Sequence, residues 1–348
     1  MQHRIVKEGR LLDECGILRE PGWATAQLLE YHRKDVKANK LRLKEWDYYL
    51  ITDGSFGLAL TVADNGYMGL DSISLLRFDS ADGPWEHTES KIRPLPMGRT
   101  KLPENSREGH ILVNGKGYII LFENNGDHRR LTFHMDSFCD GKPIDGSVTL
   151  TDPPQDSMVI ATPFPGAPKS FYYNQKINCL RASGDVEFDG QRHVFAPDTA
   201  FAVLDWGRGV WTYSNTWYWS SASGSVDGVP FGFNLGYGFG DTSAATENML
   251  FYDGIAHKLE EVSFLIPGDG SREGPRFLEP WQFTSSDGRF EAVFRPVLDR
   301  ASLTEAGPLC SDQHQVFGSF TGRAMLDDGR VIRLENFFGF AEKVRNKW

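Results

Sequence analysis

Short apolar runs separated by tight-turn dipeptides make up most of the chain beyond Glu45. The run YYLITDGSFGLALTVADNGYMGLDSISLLRF is broken at Asp53-Gly54 and at Asn65-Gly66. Asn-Gly and Asp-Gly between apolar runs are the strongest short-range hairpin signals. The same dipeptides continue to the C-terminus at Asp189-Gly190, Asp227-Gly228, Asp253-Gly254, Asp287-Gly288 and Asp328-Gly329. The pattern predicts an all-β protein built from antiparallel sheets.

Helical periodicity is confined to the N-terminal part of the chain. Residues 1–45 are predicted to form a peripheral, partly helical segment, in which Trp23 to Lys40 shows an incomplete 3.6-residue period. Two β-domains are expected to follow, over residues 46–207 and 208–348. The five prolines of TDPPQDSMVIATPFPGAPKS favour an irregular crossing between two halves of the chain.

The densest aromatic and glycine content lies in residues 205–241. Four of the nine tryptophans fall within 14 residues, and six glycines follow them. These residues are Trp206, Trp211, Trp217, Trp219, Gly224, Gly228, Gly232, Gly236, Gly238 and Gly240. Aromatic residues favour strands, and glycine in a strand marks a close approach by backbone, ring or ligand. The run therefore suggests a hydrophobic cavity in a β-rich protein.

Alternation of side chains separates the two faces of this run. From Trp211 onward the odd positions are mostly aromatic, and from Phe231 to Gly240 the even positions are mostly glycine. A hairpin closing near Asp227-Gly228 is expected to stack one aromatic face on the other. A shift of one residue would instead place tryptophans over glycines. If the loop between the two strands is long, its length does not fix the register, and both registers stay open.

Charge and composition narrow the classes of partner. The net charge of -10 argues against nucleic acid and against an anionic membrane surface. No stretch reaches the ~20 apolar residues that span a bilayer, and the N-terminus lacks a signal-peptide core. The four scattered cysteines contain no CxxC pair and are expected to be reduced thiols in a cytoplasmic protein.

Asp205 is the most prominent candidate for acid–base chemistry. It follows the apolar strand FAVL and precedes Trp206 and Arg208. Poor solvation among tryptophans favours a protonated carboxyl that can donate a proton, whereas Arg208 would keep the carboxyl ionised. Tryptophan faces can also stabilise a cation-like transition state. A turn or ion-pair residue that closes the strand is the alternative interpretation.

A second candidate group surrounds the turn at Asp253-Gly254. A two-residue turn there places Asn248, Tyr252 and His257 on one face of a hairpin. Asn248 and His257 would orient a ligand, and Glu247 is a further catalytic candidate. Half-exposed polar positions of a sheet are the alternative interpretation.

Common nucleotide, hydrolase and metal motifs are missing from the sequence. GYGFGD contains GxGxG without a helical pattern after it, and GxxxxGK[ST], GxSxG and HExxH do not occur. His134 and Asp136 share one strand face, but a third ligand is not visible and no metal is predicted. Glu342, on the last strand, is interpreted as structural.

The same segments resemble a known family. LDWGRGVWTYSNTWYWSSASGSVDGVPFGFNLGYGFGD, TENMLFYDGIAHKLEEVSF, QVFGSFTGRAMLDDG and GFAEKVRNKW resemble domain-of-unknown-function family 2804 (DUF2804), a mostly bacterial group. LLDECGILREPGWA is similar to its N-terminal signature. More distantly, DWGRG and WYWSSASGSVDG are similar to the carotenoid hydratase and AttH-like proteins. That resemblance implies two lipocalin-like (calycin) β-barrel halves and activity on unsaturated, hydrophobic molecules. Those hydratases commonly carry His or Arg after the aspartate, where Trp206 stands here.

Three functions stay open at this point. The leading hypothesis is a cofactor-independent hydratase, lyase or isomerase acting on a hydrophobic, unsaturated small molecule. A non-catalytic carrier of a lipid- or isoprenoid-like ligand is the alternative, and a carbohydrate-active protein is a weaker one, since tryptophans also stack on sugars. The expected catalytic residues are Asp205, Arg208, Glu247 and His257. The expected pocket residues are Trp206, Trp211, Tyr213, Trp217, Trp219, Asn234, Asn248 and Tyr252.

Overall fold

The computed structural model describes residues 2–79 and 83–347, which form 24 strands and two short 3₁₀ helices. The early strands are β1 Gly9–Arg10, β2 Gly22–Ala24, β3 Leu29–Glu30, β4 Leu43–Thr52, β5 Phe56–Asp64, β6 Met68–Arg77 and β7 Trp85–Pro94. The central strands are β8 Glu108–Gly115, β9 Tyr118–Asn125, β10 Arg129–Cys139, β11 Lys142–Thr151, β12 Met158–Phe164, β13 Ala167–Phe188, β14 Gln191–Phe195 and β15 Phe201–Val210. The late strands are β16 Ser214–Val226, β17 Val229–Tyr237, β18 Met249–Tyr252, β19 Ile255–Lys258, β20 Val262–Leu265, β21 Trp281–Ser285, β22 Phe290–Ala306, β23 Leu309–Met325 and β24 Val331–Lys347. The 3₁₀ helices span Arg33–Asp35 and Lys40–Arg42.

The first half of the chain forms one curled antiparallel sheet. Its main path runs β7-β6-β5-β4-β15-β13-β11-β10-β9-β8, with β2, β12 and β14 paired beside it. The sheet curls until β7 meets β10, where the His87 ring nitrogen Nε2 lies 2.7 Å from the Phe138 carbonyl oxygen. Apolar side chains such as Leu60, Phe133 and Trp206 fill its interior.

The second half forms another curled antiparallel sheet, in the order β19-β18-β17-β16-β24-β23-β22-β21-β20. Tyr237 and Phe264 bring β17 close to β20, with their ring centroids 5.3 Å apart. Its interior is rich in phenylalanine, including Phe233, Phe294 and Phe320. Residues 211–213 carry the chain from one sheet to the other. The two half-barrels confirm the all-β prediction.

The N-terminal segment lies against the first half-barrel mostly as extended chain. β1 pairs in parallel with β3, and β2 pairs with β12. Within residues 2–79 and 83–347, helical conformation is limited to the two 3₁₀ helices of this segment. The segment is therefore partly helical, but its helix candidate, Trp23 to Lys40, does not form one helix. Leu29 and Tyr31 belong to the buried core. Tertiary packing therefore overrides the incomplete helical period.

The proline-rich stretch is also more regular than expected. Only residues 152–157 leave the strand conformation before β12 begins. β12 contains Pro163 and pairs with β13, and the register shifts just after that proline. Proline lacks an N–H to donate to the ladder and is tolerated at such irregularities.

The predicted turn dipeptides all lie between paired strands. At Asp189-Gly190, Asp227-Gly228 and Asp253-Gly254 both residues have positive φ, as a type I′ turn requires. Glycine adopts this conformation without a steric penalty, and aspartate tolerates it. The third of these turns pairs Tyr252 with Ile255, which confirms the register predicted for that hairpin.

The turn at Asp227-Gly228 also sets the register of the tryptophan strand. β16 and β17 are joined by these two residues alone, so odd positions of one strand pair with even positions of the other. Trp219 lies opposite Gly236 and Ser223 lies opposite Gly232. Trp219 therefore lies opposite a glycine, so the structure has the second of the two registers that the sequence leaves open, and the aromatic faces do not stack on each other.

The four cysteines contain no disulfide: Cys15, Cys139, Cys179 and Cys310 are all free thiols. None of the helices within residues 2–79 and 83–347 has the length and apolarity that a membrane crossing requires.

Candidate functional site

The junction between the two half-barrels buries a cluster of polar side chains. On the first sheet, Lys176 of β13 lies directly opposite Asp205 of β15, and Asp205 lies directly opposite Tyr48 of β4. Because side chains alternate along a strand, Tyr172 and Asn174 of β13 project to the same face as Lys176. This face meets the second sheet. We call the whole cluster the junction site; its members are Tyr48, Tyr172, Asn174, Lys176, Asp205, Trp217, Trp219, Asn234, Glu247, Gln315 and Glu342.

A matching row on the second sheet faces the first. Trp219 of β16 lies opposite Glu342 of β24, which lies opposite Gln315 of β23. The Tyr48 hydroxyl donates to Gln315 Oε1 at 3.2 Å. The Lys176 ammonium lies 3.8 Å from the centroid of the Trp219 ring. The junction site is therefore formed by residues of both sheets together, and neither sheet contains it alone.

Lys176 and Asp205 form the fixed charge pair of the site. Lys176 Nζ lies 2.8 Å from Asp205 Oδ2, and the two side chains are 2% and 10% exposed. Asn174 Nδ2 donates to the other oxygen, Asp205 Oδ1, at 2.7 Å. Both carboxylate oxygens are thus engaged by donors, and the Lys176 contact is a charge-assisted hydrogen bond.

Glu247 is a buried carboxyl without a direct cationic partner. It lies in the connection between β17 and β18, where Asn234 Nδ2 donates to its carbonyl oxygen at 2.8 Å and to Oε2 at 3.3 Å. Its Oε1 atom is buried and accepts no hydrogen bond from the described residues. Burial raises the pKa of Glu247 to about 7, with the charge of Lys176 acting in the opposite direction.

Glu342 is the second carboxyl with a raised pKa. Trp217 Nε1 donates to Oε1 at 3.0 Å, and Gln315 Nε2 donates to Oε2 at 3.2 Å. Desolvation raises the pKa of Glu342 to about 7 despite these donors. Glu342 and Trp217 are only half-buried, so the junction site is accessible to solvent on this side.

Tyr172 is a third titratable group of the junction site whose pKa is raised. Its ring stacks on Phe239 with centroids 4.9 Å apart and lies edge-on to Trp211 at 5.5 Å. Burial and the negative charge of Glu247, followed by Asp205 and Glu342, keep the pKa of its hydroxyl well above the ordinary value. The hydroxyl is therefore neutral and remains a hydrogen-bond donor.

The space beside the junction site is small. A cavity of about 10 Å³ lies between the sheets, and its lining includes Val203 and Phe340. These residues precede Asp205 and Glu342 by two positions on the same strand faces, so the cavity borders the site. This volume corresponds to about one water molecule.

The structure brings together six of the residues predicted for the site. Asp205, Trp217, Trp219, Asn234 and Glu247 belong to the junction site, and Trp211 packs beside it. Trp219 Nε1 donates to Asn234 Oδ1 at 2.7 Å. Asn248 lies directly behind, where its side-chain oxygen accepts from the Gly236 N–H at 2.7 Å.

Arg208 and Trp206 lie on the opposite face of β15 from Asp205. Arg208 is fully buried in the first half-barrel, where it donates to Asp47 Oδ1 at 2.9 Å and stacks on Trp206 at 4.2 Å. The expected clamp of Arg208 on Asp205 is therefore wrong, because the two residues are an odd number of positions apart in one strand. Trp206 is likewise a core residue and does not line the junction.

Tyr213, Tyr252 and His257 also lie away from the junction. The Tyr213 side chain is 49% exposed, on the connection between the sheets. Tyr252 packs against the interior of the second half-barrel, beneath Arg330 at 5.1 Å. His257 is 3.5 Å from the Asp327 carboxylate on the same side of the molecule.

The sequence prediction lacks Tyr172, Lys176 and the chemical role of Glu342. In the run YYNQK, the alternation places Tyr172, Asn174 and Lys176 on one face of a strand. A lysine and an asparagine on the same face as a tyrosine inside an apolar strand are unusual in a core. This pattern identifies the polar face of the strand from sequence alone. It does not show that Lys176 on this face pairs with Asp205 on β15.

The described ranges hold no group of three or more His, Cys, Asp or Glu side chains placed to bind a metal ion. His134 lies between Asp136 and Asp145, at 2.8 Å and 2.6 Å, and these two carboxylates raise its pKa.

Known structures and families can be compared with this arrangement. The crystal structure of a protein described as an AttH from Nitrosomonas europaea matches with a TM-score of 0.52 and 16% identity, over 92% of this chain and 96% of that chain. Kievitone hydratase from Nectria haematococca matches with a TM-score of 0.49 and 10% identity, over 98% of each chain. The first likeness establishes a shared fold. No curated protein matches the sequence. A family model described as a domain of unknown function, DUF2804, matches residues 2–348.

Proposed function

The chain belongs to the DUF2804 family, and we propose that it is an enzyme of the hydratase, lyase or isomerase type. Its substrate is a hydrophobic, unsaturated small molecule, which reacts at the junction site by proton transfer without a cofactor. The observation that carries this proposal is the placement of two carboxyls beside tryptophans at the junction. Glu342 accepts from Trp217, and Glu247 accepts from Asn234, which itself accepts from Trp219. Desolvation there raises the pKa values of both carboxyls to about 7.

Raised pKa values suit these two groups to acid–base catalysis. A carboxyl with a pKa near the working pH is present in both protonation states and can give or take a proton with little free-energy cost. Addition of water to a double bond, its elimination and the migration of a double bond all need such transfers. The aromatic surroundings, Trp217 and Trp219 among them, suit an apolar substrate.

Asp205 has a different role in this proposal from the one its sequence context favours. Lys176 and Asn174 hold both of its oxygens, so Asp205 has no free oxygen to offer a substrate. It positions Lys176 instead. The proton donors and acceptors are Glu247 and Glu342.

The test is conversion of a panel of unsaturated compounds in D₂O, followed by mass spectrometry. A hydratase adds the mass of D₂O, a lyase removes water, and an isomerase keeps the formula while gaining deuterium. We expect Glu342→Gln to lower the turnover of a converted compound by ~100-fold or more, because the amide cannot transfer the proton. Glu247→Gln is also expected to lower it.

Glu108→Gln is the matched control, since Glu108 is an exposed carboxylate on β8 of the first half-barrel. Full turnover by both junction variants would contradict the proposal. A compound that binds and is recovered unchanged would instead support the carrier function.

A further inference from the structure

Three buried polar atoms of the junction site have no hydrogen-bond partner among the described residues. One of them, Asn174 Oδ1, can only accept a hydrogen bond. The other two are the hydroxyl of Tyr172, whose side chain is fully buried, and Oε1 of Glu247, whose residue is 1% exposed. An unpaired buried polar group costs about 1–3 kcal/mol of stability. The Phe239 ring lies next to both residues. It stacks on the Tyr172 ring with centroids 4.9 Å apart, and a Cβ atom at Gly236 would lie 3.1 Å from it and 2.8 Å from Glu247 Oε1.

The chemistry of the two atoms defines what they can bind together. The Tyr172 hydroxyl is neutral and donates. Glu247 also donates when it is protonated, which its raised pKa favours up to about pH 7. Two donors match the two lone pairs of one carbonyl oxygen. A neutral carboxylic acid and a tyrosine hydroxyl are a known means of holding an enolate oxygen in an active site.

The Trp219 ring is not available to stabilise a cation. An unactivated double bond reacts through a cation, which a free aromatic face can stabilise. The face of Trp219 is already covered by the Lys176 ammonium at 3.8 Å. This arrangement favours a substrate whose reaction does not pass through a cation at this ring.

We infer that the substrate is an α,β-unsaturated carbonyl compound whose carbonyl oxygen accepts hydrogen bonds from Tyr172 and Glu247. The inference rests on the proposed function and names its substrate class. For hydration, Glu342 takes a proton from water while the water oxygen bonds to the β-carbon. The electron pair of the double bond moves to the carbonyl oxygen, giving an enolate held by Tyr172 and Glu247. Glu342 then returns its proton to the α-carbon, so that one water has been added and both carboxyls are restored.

The experiment uses 4-nitrophenol, whose phenolate resembles the enolate and whose absorption reports binding. We expect saturable binding to the whole protein, weakened ~10-fold or more by Tyr172→Phe, which loses one hydrogen bond to a charged oxygen. Tyr173→Phe is the matched control. Tyr173 is also buried, but its hydroxyl points into the first half-barrel, where it donates to the Leu29 carbonyl oxygen at 2.7 Å.

The denaturation midpoint shows whether the Tyr172 hydroxyl binds a ligand or stabilises the fold. Tyr172→Phe removes an unpaired hydroxyl, so its denaturation midpoint should equal or exceed that of the unmodified protein, while Tyr173→Phe should unfold more easily. Absence of binding to the unmodified protein, or equal affinity of the two variants, overturns the inference. If Glu342→Gln abolishes conversion while Tyr172→Phe keeps both conversion and binding, the proposed function stands and only the substrate class is wrong.

Discussion

Gly236 makes room for the carboxyl group of Glu247. A Cβ atom at position 236 would lie 2.8 Å from Glu247 Oε1 and 2.9 Å from the Tyr218 carbonyl oxygen. Both distances are shorter than van der Waals contact allows. Gly236, which lies opposite Trp219 in the hairpin, therefore also leaves space for the buried carboxyl of Glu247.

Gly236→Ala should displace Glu247 and lower activity more than stability. We expect a loss of about 1–3 kcal/mol in the free energy of unfolding, which is typical of overpacking, because the Tyr218 backbone cannot retreat. Chemical denaturation and the D₂O conversion assay measure the two effects. Gly9→Ala is the control, since the nearest atom to a Cβ there is 4.0 Å away. Unchanged conversion by Gly236→Ala would show that Glu247 does not need its observed position.

The Lys176–Asp205 pair should be strongly coupled. Asp205→Asn leaves a buried ammonium without its counter-charge, which is expected to cost about 3–5 kcal/mol of unfolding free energy. The double variant Lys176→Met, Asp205→Asn should recover most of that loss. A double-mutant cycle by urea denaturation measures the coupling.

The exposed pair of Lys142 and Asp189 serves as the comparison. Its atoms are 2.7 Å apart, but the side chains are 49% and 52% exposed, so Asp189→Asn should change the free energy of unfolding by less than ~1 kcal/mol. Equal losses at Asp205 and Asp189 would mean that the junction pair is screened by solvent.

Glu247 should make stability depend on pH in a defined window. Its folded pKa of about 7 lies above its ordinary value, so between those two values the folded state binds the proton more tightly than the unfolded state. Stability then falls as the pH rises from about 4.5 to about 7 and levels off above that. Glu247→Gln lacks this contribution but keeps the matching one from Glu342, whose pKa is also raised to about 7. Its slope should therefore be smaller, and it should exceed the original protein in stability at pH 8 but match it at pH 5.

Urea denaturation at both pH values measures this difference. Glu108→Gln, at an exposed site, should leave the slope unchanged. If Glu247→Gln is no more stable than the original protein at pH 8, then the Glu247 carboxylate is better solvated or better paired than its burial implies.

Sequence reasoning found the turns because their signal is local. Asp227-Gly228 needs only its own two positive φ angles to form a type I′ turn. The same reasoning found Asp205, since a charged residue after an apolar strand stands out. It placed Arg208 wrongly because proximity along the chain was taken as proximity in space, although a strand sends Asp205 and Arg208 to opposite faces.

The partners of Asp205 depend on information that no local pattern contains. Lys176 meets Asp205 only through the register of β13 against β15, and that register shifts between Ile177 and Leu180. Cys179, inside this irregularity, has a φ of 61°. A bulge in a 22-residue strand is set by long-range packing, so the pairing was not predictable from the sequence.

The same bulge determines when in folding the site can exist. At its centre, Asn178 Nδ2 donates to Ser221 Oγ at 2.8 Å and to the Phe233 carbonyl oxygen at 3.1 Å, both on the second sheet. Contacts of such long sequence separation form late, because closing the loop between them costs chain entropy. Tyr48 and Gln315, which also meet across the junction, are 267 residues apart. A nascent or half-folded chain therefore has no assembled junction site, and the proposed activity requires that the second half-barrel has closed on the first.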